Sequence, residues 1–208
     1  MATERPAIRR RDPQRRIAEI SAATEKVIAA RGIEGLTHRA VAEEAGVPLG
    51  ATTYHFATKD DLISAALQRA VDAYAAYLED WVAQRPGLTA EQLTVLLTDV
   101  LLSCLGPQRE QQVMEFELYL AALRRPALRP IADQYIELTV QALAHYADPV
   151  TATAVAAAMN GLTLRGLAGT HPPARADIEA VLRRILTPNP TLTTPDDRTE
   201  QGQQRIAP

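Results

Sequence analysis

The chain has 208 residues, of which 47% are hydrophobic and 23% are charged, and its formal net charge is −3. These ordinary fractions exclude wholesale disorder, and the lack of any apolar run of 18 residues excludes a membrane-spanning helix. The one cysteine, Cys104, excludes an internal disulfide and a cysteine-based metal site, and fits a cytoplasmic protein.

The N-terminal end is strongly basic, with six arginines against two acidic residues in the first 16 positions. This segment has no apolar stretch, which excludes a secretory signal, and we expect residues 1–13 to form a flexible arm. Because the rest of the chain is acidic, the arm indicates an anionic partner at this end only. A solvated tail explains the same charges.

Few aromatic residues, abundant alanine and the lack of alternating β patterns predict an all-α protein. Hydrophobic periodicity and Gly or Pro breakers predict nine helices, with capping boxes at Thr58–Asp61 and Thr89–Gln92. The predicted helices span roughly residues 14–31, 37–45, 49–54, 58–84, 89–105, 109–124, 127–146, 149–169 and 174–187. We expect residues 188–208, which include four prolines, to be a disordered tail.

The first three helices, at 14–57, are predicted to form one domain and residues 58–187 a second, with no linker between them. The second and third helices have the pattern of a helix-turn-helix. Ala42 is the small residue where the helices cross, and Gly46 allows a positive φ in the turn. Val47 faces inward as required, whereas Thr52 occupies an inward position where Leu or Ile is expected.

The stretch Leu36–Val47, continued by Pro48–Phe56 and Lys59–Leu62, closely resembles the N-terminal domain of TetR/AcrR-type transcriptional regulators. The resemblance runs without gaps from Arg16 to Leu62. Beyond it, the chain is similar to the family in the number, order and lengths of its helices, not in motifs. The resemblance implies a three-helix helix-turn-helix domain continuous with a six-helix ligand-binding and dimerisation domain.

The resemblance also implies which residues contact DNA. Thr37 would bind a phosphate at a helix N-terminus, Arg39 a base or phosphate, and Lys59 a phosphate. The full implied set is Thr37, His38, Arg39, Leu49, Gly50, Ala51, Thr53, Tyr54, His55 and Lys59. Thr53 replaces the tyrosine of most family members, so one contact is missing or replaced. Three simpler roles stay open: Thr37 as an N-cap, Arg39 as a solvated charge and His55 stacked on its own helix.

The larger domain has no catalytic motif, no metal-ligand spacing and no phosphate loop, so we predict no catalytic residues, metal or cofactor. Glu115 and Glu117 are two apart on one helix and lie on different faces, which does not suit a paired-carboxylate site.

The resemblance instead implies a ligand pocket among the middle helices. The candidate lining residues are polar or aromatic groups within apolar helix faces: Tyr77, Trp81, Cys104, Glu117, Tyr135, Asn160 and Arg165. Trp81 and Cys104 also suit a plain core. Glu117 and Arg165 also suit an ion pair with each other or exposure to solvent.

The resemblance implies that the last two helices pair with their copies in a four-helix dimer interface. The apolar residues on these helices form two stripes: Val155, Met159, Leu162 and Leu167, then Ile178, Val181, Leu182 and Ile185. An intramolecular core explains both stripes as well as a dimer does.

Together these features predict a cytoplasmic, homodimeric, sequence-specific DNA-binding regulator that is not attached to a membrane. We expect a repressor that a small, mostly apolar effector releases from a near-palindromic double-stranded DNA operator. The long helix at 58–84 is expected to transmit this effect. Two alternatives remain: a non-specific architectural DNA-binding protein, and an all-helical enzyme or carrier without DNA affinity.

Overall fold

The computed structural model describes residues 12–187, and all regular structure in that range is helical. The helices are α1 (Pro13–Arg31), α2 (His38–Ala45), α3 (Leu49–His55), α4 (Lys59–Ala83), α5 (Ala90–Leu105), α6 (Arg109–Ala121), α7 (Arg129–Leu143), α8 (Pro149–Ala168) and α9 (Arg175–Leu186). Within the described range, the predicted all-α fold of nine helices is therefore confirmed. The predicted tail at 188–208, and the predicted arm at 1–13 except for its last two residues, lie outside the described residues.

The predicted helix starts coincide with observed caps. The Thr58 hydroxyl accepts a hydrogen bond from the Asp61 amide at 3.1 Å, and the Asp61 carboxylate accepts one from the Thr58 amide at 2.8 Å. Thr89 and Gln92 form the second predicted capping box, at the start of α5. Gly46 ends α2 at φ 63° and ψ 36°, the left-handed conformation that the turn requires.

Two helices are shorter than predicted. The sequence pattern predicted helices at 109–124 and 127–146, whereas α6 ends at Ala121 and α7 begins only at Arg129. A short 3₁₀ turn, Pro126–Leu128, lies between them. Pro130 sits in the first turn of α7, where its missing amide hydrogen costs no helical hydrogen bond, and this fixes the start of the helix.

The buried apolar side chains form two clusters. The proximal cluster joins α1, α2, α3, the first half of α4, α6 and the start of α7, and its fully buried members include Ile20, Ile28, Leu62 and Leu118. The distal cluster joins the end of α4 to α5, α8 and α9 and the end of α7. Because the proximal cluster crosses the predicted domain boundary at 57/58, the helix-turn-helix packs directly onto the larger part of the chain.

The predicted dimer stripes lie partly inside the chain. Val155, Ile178 and Leu182 are fully buried in the distal cluster. Their assignment to a dimer interface is wrong, and the alternative of an intramolecular core is confirmed for these three residues. Across residues 12–187, no helix combines the length and the apolar character that crossing a bilayer requires.

Candidate DNA interface and ligand cavity

The start of α2 places two predicted DNA-contacting residues at the surface. The Thr37 hydroxyl caps the helix by accepting a hydrogen bond from the Ala40 amide at 3.1 Å, and the residue stays exposed. Arg39 is exposed two positions later, and no salt bridge between residues 12 and 187 includes it. Thr37 therefore acts as an N-cap, and both residues remain accessible to a phosphate or a base.

His38 has a structural contact that sequence reasoning did not predict. Its Nε2 atom lies 2.8 Å from the Phe56 carbonyl oxygen, which ties the start of α2 to the end of α3. The side chain is only partly exposed. His38 thus helps to hold the two helices of the motif together. Because Nε2 is used in this contact, only Nδ1 is left for the predicted hydrogen bond with DNA.

The third helix separates a solvent-facing side from an inward side. Its exposed residues are Leu49, Gly50, Thr53 and Tyr54. Tyr54 is 84% exposed and Leu49 is 44% exposed. Ala51 packs partly against the proximal cluster, and Thr52 is completely buried. The Thr52 hydroxyl donates to the Leu49 carbonyl at 2.7 Å, which explains how a polar side chain occupies this inward position.

The end of α3 and the start of α4 lie next to this face. The His55 ring packs edge-on against the Tyr54 ring of its own helix at 5.0 Å, and its contact with DNA stays a prediction. Lys59 is the first residue of α4 and is partly exposed. Arg125 binds the neighbouring Asp60 at 2.8 Å and fixes this end of α4 to the segment that follows α6.

A cavity of about 490 Å³ opens between α4, α5, α6, α7 and α8, with Glu25 of α1 at its edge. This volume lies within the usual range for small-molecule sites. Five of the seven predicted lining residues face it: Tyr77, Trp81, Cys104, Tyr135 and Asn160.

The other two predicted lining residues lie elsewhere. Glu117 is on the far side of α6 from the cavity, where its carboxylate accepts a hydrogen bond from the Ile33 amide at 3.0 Å. Arg165 is exposed on α8 and does not pair with Glu117. Their assignment to the pocket is wrong because the sequence pattern does not show which side of each helix turns inward.

Sequence reasoning missed Glu115, a carboxyl group in the cavity wall. Its carboxylate accepts hydrogen bonds from Gln111 at 2.9 Å, from the Tyr135 hydroxyl at 3.2 Å and from Gln112 at 3.3 Å. All three donors are neutral. Burial therefore raises the pKa of Glu115 above its ordinary value, and these hydrogen bonds offset the rise only in part. Burial and the nearby Glu115 also raise the pKa of Cys104, to about 11.

Aromatic rings form much of one wall. The Tyr74 and Tyr135 rings stack at 4.7 Å with an interplanar angle of 25°, and the Tyr77 ring continues the stack 6.3 Å from Tyr74. Trp81 closes the far end of the wall and packs edge-on against Tyr146. Such a wall favours flat, apolar or aromatic ligands.

Comparison with known families identifies both parts of the chain. The family model for bacterial regulatory proteins of the tetR family matches residues 20–66, and the model for the Tetracyclin repressor-like C-terminal domain matches residues 88–188. The HTH-type transcriptional regulator PksA of Bacillus subtilis (strain 168) is 32% identical over 110 residues, which cover 53% of this chain. The same match covers 51% of PksA, so it spans about half the length of that relative.

Solved structures match over a greater length. The multidrug binding protein EbrR complexed with ethidium is 45% identical, with a TM-score of 0.72, and the match covers 82% of this chain and 97% of EbrR. EbrR has also been solved with proflavin and with malachite green. A member of the TetR family from Streptomyces coelicolor A3 is 44% identical, with a TM-score of 0.68 and coverage of 82% and 97% of the two chains.

Proposed function

Because this chain belongs to the TetR family of DNA-binding transcriptional regulators, we propose that it is a homodimeric repressor with a small-molecule effector. The effector enters the cavity and lowers the affinity for a near-palindromic operator. One observation carries this proposal: α4 begins with Lys59 at the candidate DNA interface and ends with Tyr77 and Trp81 in the cavity wall. At 1.5 Å per residue, Lys59 and Trp81 are about 33 Å apart, so a small tilt at one end displaces the other.

The DNA-binding part of the proposal rests on exposure and charge. Thr37 and Arg39 lie at the start of α2 and Lys59 at the start of α4, the helices on either side of α3 in the chain, and each offers a hydrogen bond or a positive charge to a phosphate. Leu49, Gly50, Thr53 and Tyr54 supply the surface that would enter the major groove.

Two arguments support the proposed homodimer. A recognition helix of seven residues buries too little surface for specific binding alone, and a two-fold dimer doubles the contacts at half-sites about 34–36 Å apart. The exposed face of α8 also presents a stripe of small and apolar residues: Val150, Ala154, Ala157, Gly161, Leu164 and Ala168. Small residues let two helices approach closely, and pairing removes the stripe from water.

The effector part rests on the cavity and on the relatives. The volume and aromatic wall suit a drug-sized apolar molecule. The EbrR complexes with ethidium, proflavin and malachite green support this choice, because all three ligands are flat or propeller-shaped aromatic molecules.

Footprinting of the purified protein on genomic DNA tests the proposal, because it finds operators wherever they lie in the genome. We expect protected palindromic sites with an affinity at least about 1,000-fold above that for random DNA. Equal affinity for all DNA would support an architectural protein instead. The absence of any DNA affinity would support the enzyme or carrier.

A further inference from the structure

We propose that the cavity selects aromatic monocations, that Glu115 is the side chain that recognises their charge, and that their binding releases a proton from its carboxyl group. This inference rests on the proposed function, since it takes the cavity to be the effector site. It adds the charge of the ligand and a residue that determines specificity.

Within the described range, the side chains that line the cavity include acidic groups but no basic ones. The lining residues include two carboxylates, Glu25 and Glu115, and none of the lysines, arginines or histidines between residues 12 and 187. Glu25 is paired with Arg69 at 3.2 Å. Glu115 takes part in no ion pair of the described range and is bound only by neutral donors. A buried carboxylate without a counter-charge is costly, and a bound cation would supply that charge.

The neighbours of Glu115 hold it ready for a ligand. Gln111 binds one carboxylate oxygen, while Gln112 and Tyr135 bind the other, so the side chain is fixed before any ligand arrives. Each carboxylate oxygen has more than one lone-pair site, which leaves room for a further positive group. Tyr135 also belongs to the aromatic stack with Tyr74, and a flat cation lying on these rings gains cation–π attraction.

The proposed release of a proton follows from the charges of the groups that face Glu115. These are Glu25 from α1, Tyr74 from α4, Cys104 from α5 and Tyr135 from α7. Each is neutral or negative, so none of them supplies a positive charge that favours the ionised carboxylate. Burial therefore shifts Glu115 toward its protonated form in the free protein, as the raised pKa indicates. A bound cation reverses this preference: the carboxyl O–H bond breaks, the proton passes to water and the carboxylate pairs with the ligand.

Ethidium is a suitable probe because its quaternary nitrogen keeps one positive charge at every pH. Its neutral phenanthridine parent, which lacks the N-ethyl group, has nearly the same shape. Both are titrated without DNA, since ethidium intercalates. The variant is Glu115→Gln, which keeps the size and removes the charge. The control is Glu110→Gln, which removes an exposed charge from the same helix.

We expect Glu115→Gln to weaken ethidium binding roughly 10- to 100-fold at about pH 8, the upper end of the pH range tested, where the ionised form of Glu115 is most favoured. The same variant should bind the neutral parent as well as the wild type does, and Glu110→Gln should bind ethidium normally. Unchanged ethidium affinity in Glu115→Gln would overturn the proposal. So would equal affinity of the wild type for ethidium and the neutral parent.

Calorimetry of the wild type alone covers the case in which Glu115→Gln fails to fold. Titrating ethidium in two buffers of different ionisation enthalpy reports the protons released. We expect release that grows as the pH falls toward the raised pKa of Glu115, together with weaker binding. Binding without proton release at any pH from about 5 to 8 would overturn the coupling. Operator affinity is measured separately, so loss of operator binding would count against the proposed function and leave these results standing.

Discussion

The proximal and distal clusters differ in what they hold together. The proximal cluster packs the helix-turn-helix against α4, α6 and the start of α7, whereas the distal cluster packs α5, α8 and α9 around the end of α4. The cavity lies where the two meet, with Ala70 and Met114 from the proximal side and Trp81, Leu97 and Leu143 from the distal side. A ligand in the cavity is therefore placed to change how the two clusters pack against each other.

Two polar contacts extend the proximal region to the DNA-facing helices. On α6, Glu117 binds the Ile33 amide in the turn between α1 and α2. After α6, Arg125 binds Asp60 at the start of α4. The sequence predicted the long helix α4 as the connection between the cavity and DNA. The structure adds α6, whose Glu115 faces the cavity while Glu117 faces the helix-turn-helix.

The largest expected effects come from creating a cavity in either cluster. Leu118 in the proximal cluster and Leu101 in the distal cluster are both fully buried, so replacing either with alanine should lower the free energy of unfolding by about 2–5 kcal/mol. Only Leu118→Ala should also weaken operator binding while folded, since Leu118 packs with the helix-turn-helix. Chemical denaturation and operator anisotropy measure the two effects. Equal operator affinity in both variants would contradict this division of roles.

The next effect concerns the distal region and its proposed pairing. An ideal Cβ at Gly161 meets no atom of the chain within 4 Å, so Gly161→Arg fits the folded protomer. We expect it to give a monomer by light scattering and to lower operator affinity roughly 100-fold or more through loss of the second half-site. Ala76→Arg, on an exposed position of α4, is the matched control and should remain dimeric. A dimeric Gly161→Arg variant would place the interface elsewhere.

At the DNA interface, two basic residues should behave differently. Replacing Arg39 with alanine should cost roughly 1–3 kcal/mol and relax specificity at one base position, if the residue reaches a base edge. Replacing Lys59 with alanine should weaken binding to all DNA alike and reduce the slope of log K against log salt by about one. Salt titrations on operator and random DNA separate the two outcomes. Equal, sequence-independent losses would make Arg39 another phosphate contact.

The smallest expected effect concerns the α6 connection. Replacing Glu117 with glutamine keeps the shape but weakens the hydrogen bond to Ile33, and should reduce the coupling between ligand and operator by about 0.5–2 kcal/mol. Ligand affinity without DNA should not change, because Glu117 does not line the cavity. Glu110→Gln is again the control. If Glu117→Gln keeps the same coupling free energy between ligand and operator as the wild type, α4 would be the better supported connection between the cavity and DNA.

These regions also differ in how well the sequence predicts them. The helix-turn-helix depends on contiguous residues with local roles, such as Gly46 in the turn and Thr37 at the cap, so its elements were predicted correctly. The cavity depends on side chains from six helices, and which side of a helix faces inward is decided by packing. Glu115 and Glu117 are about 200° apart around α6, so their spacing in the sequence shows that they lie on different faces of the helix. The spacing does not show which of the two faces turns toward the cavity. The hydrogen bond from Tyr135 to Glu115 joins separate helices and left no local signal.

The most direct test of the proposed coupling is the affinity of one ligand measured with and without saturating operator. Trp81 is the only tryptophan and lines the cavity, so its fluorescence reports ligand binding directly. Tetraphenylphosphonium is a suitable aromatic probe because it does not intercalate into DNA. If the ligand weakens operator binding tenfold, operator must weaken ligand binding tenfold, about 1.4 kcal/mol. We expect this equal, reciprocal loss; ligand affinity that saturating operator leaves unchanged would contradict the coupling, even if the protein binds both.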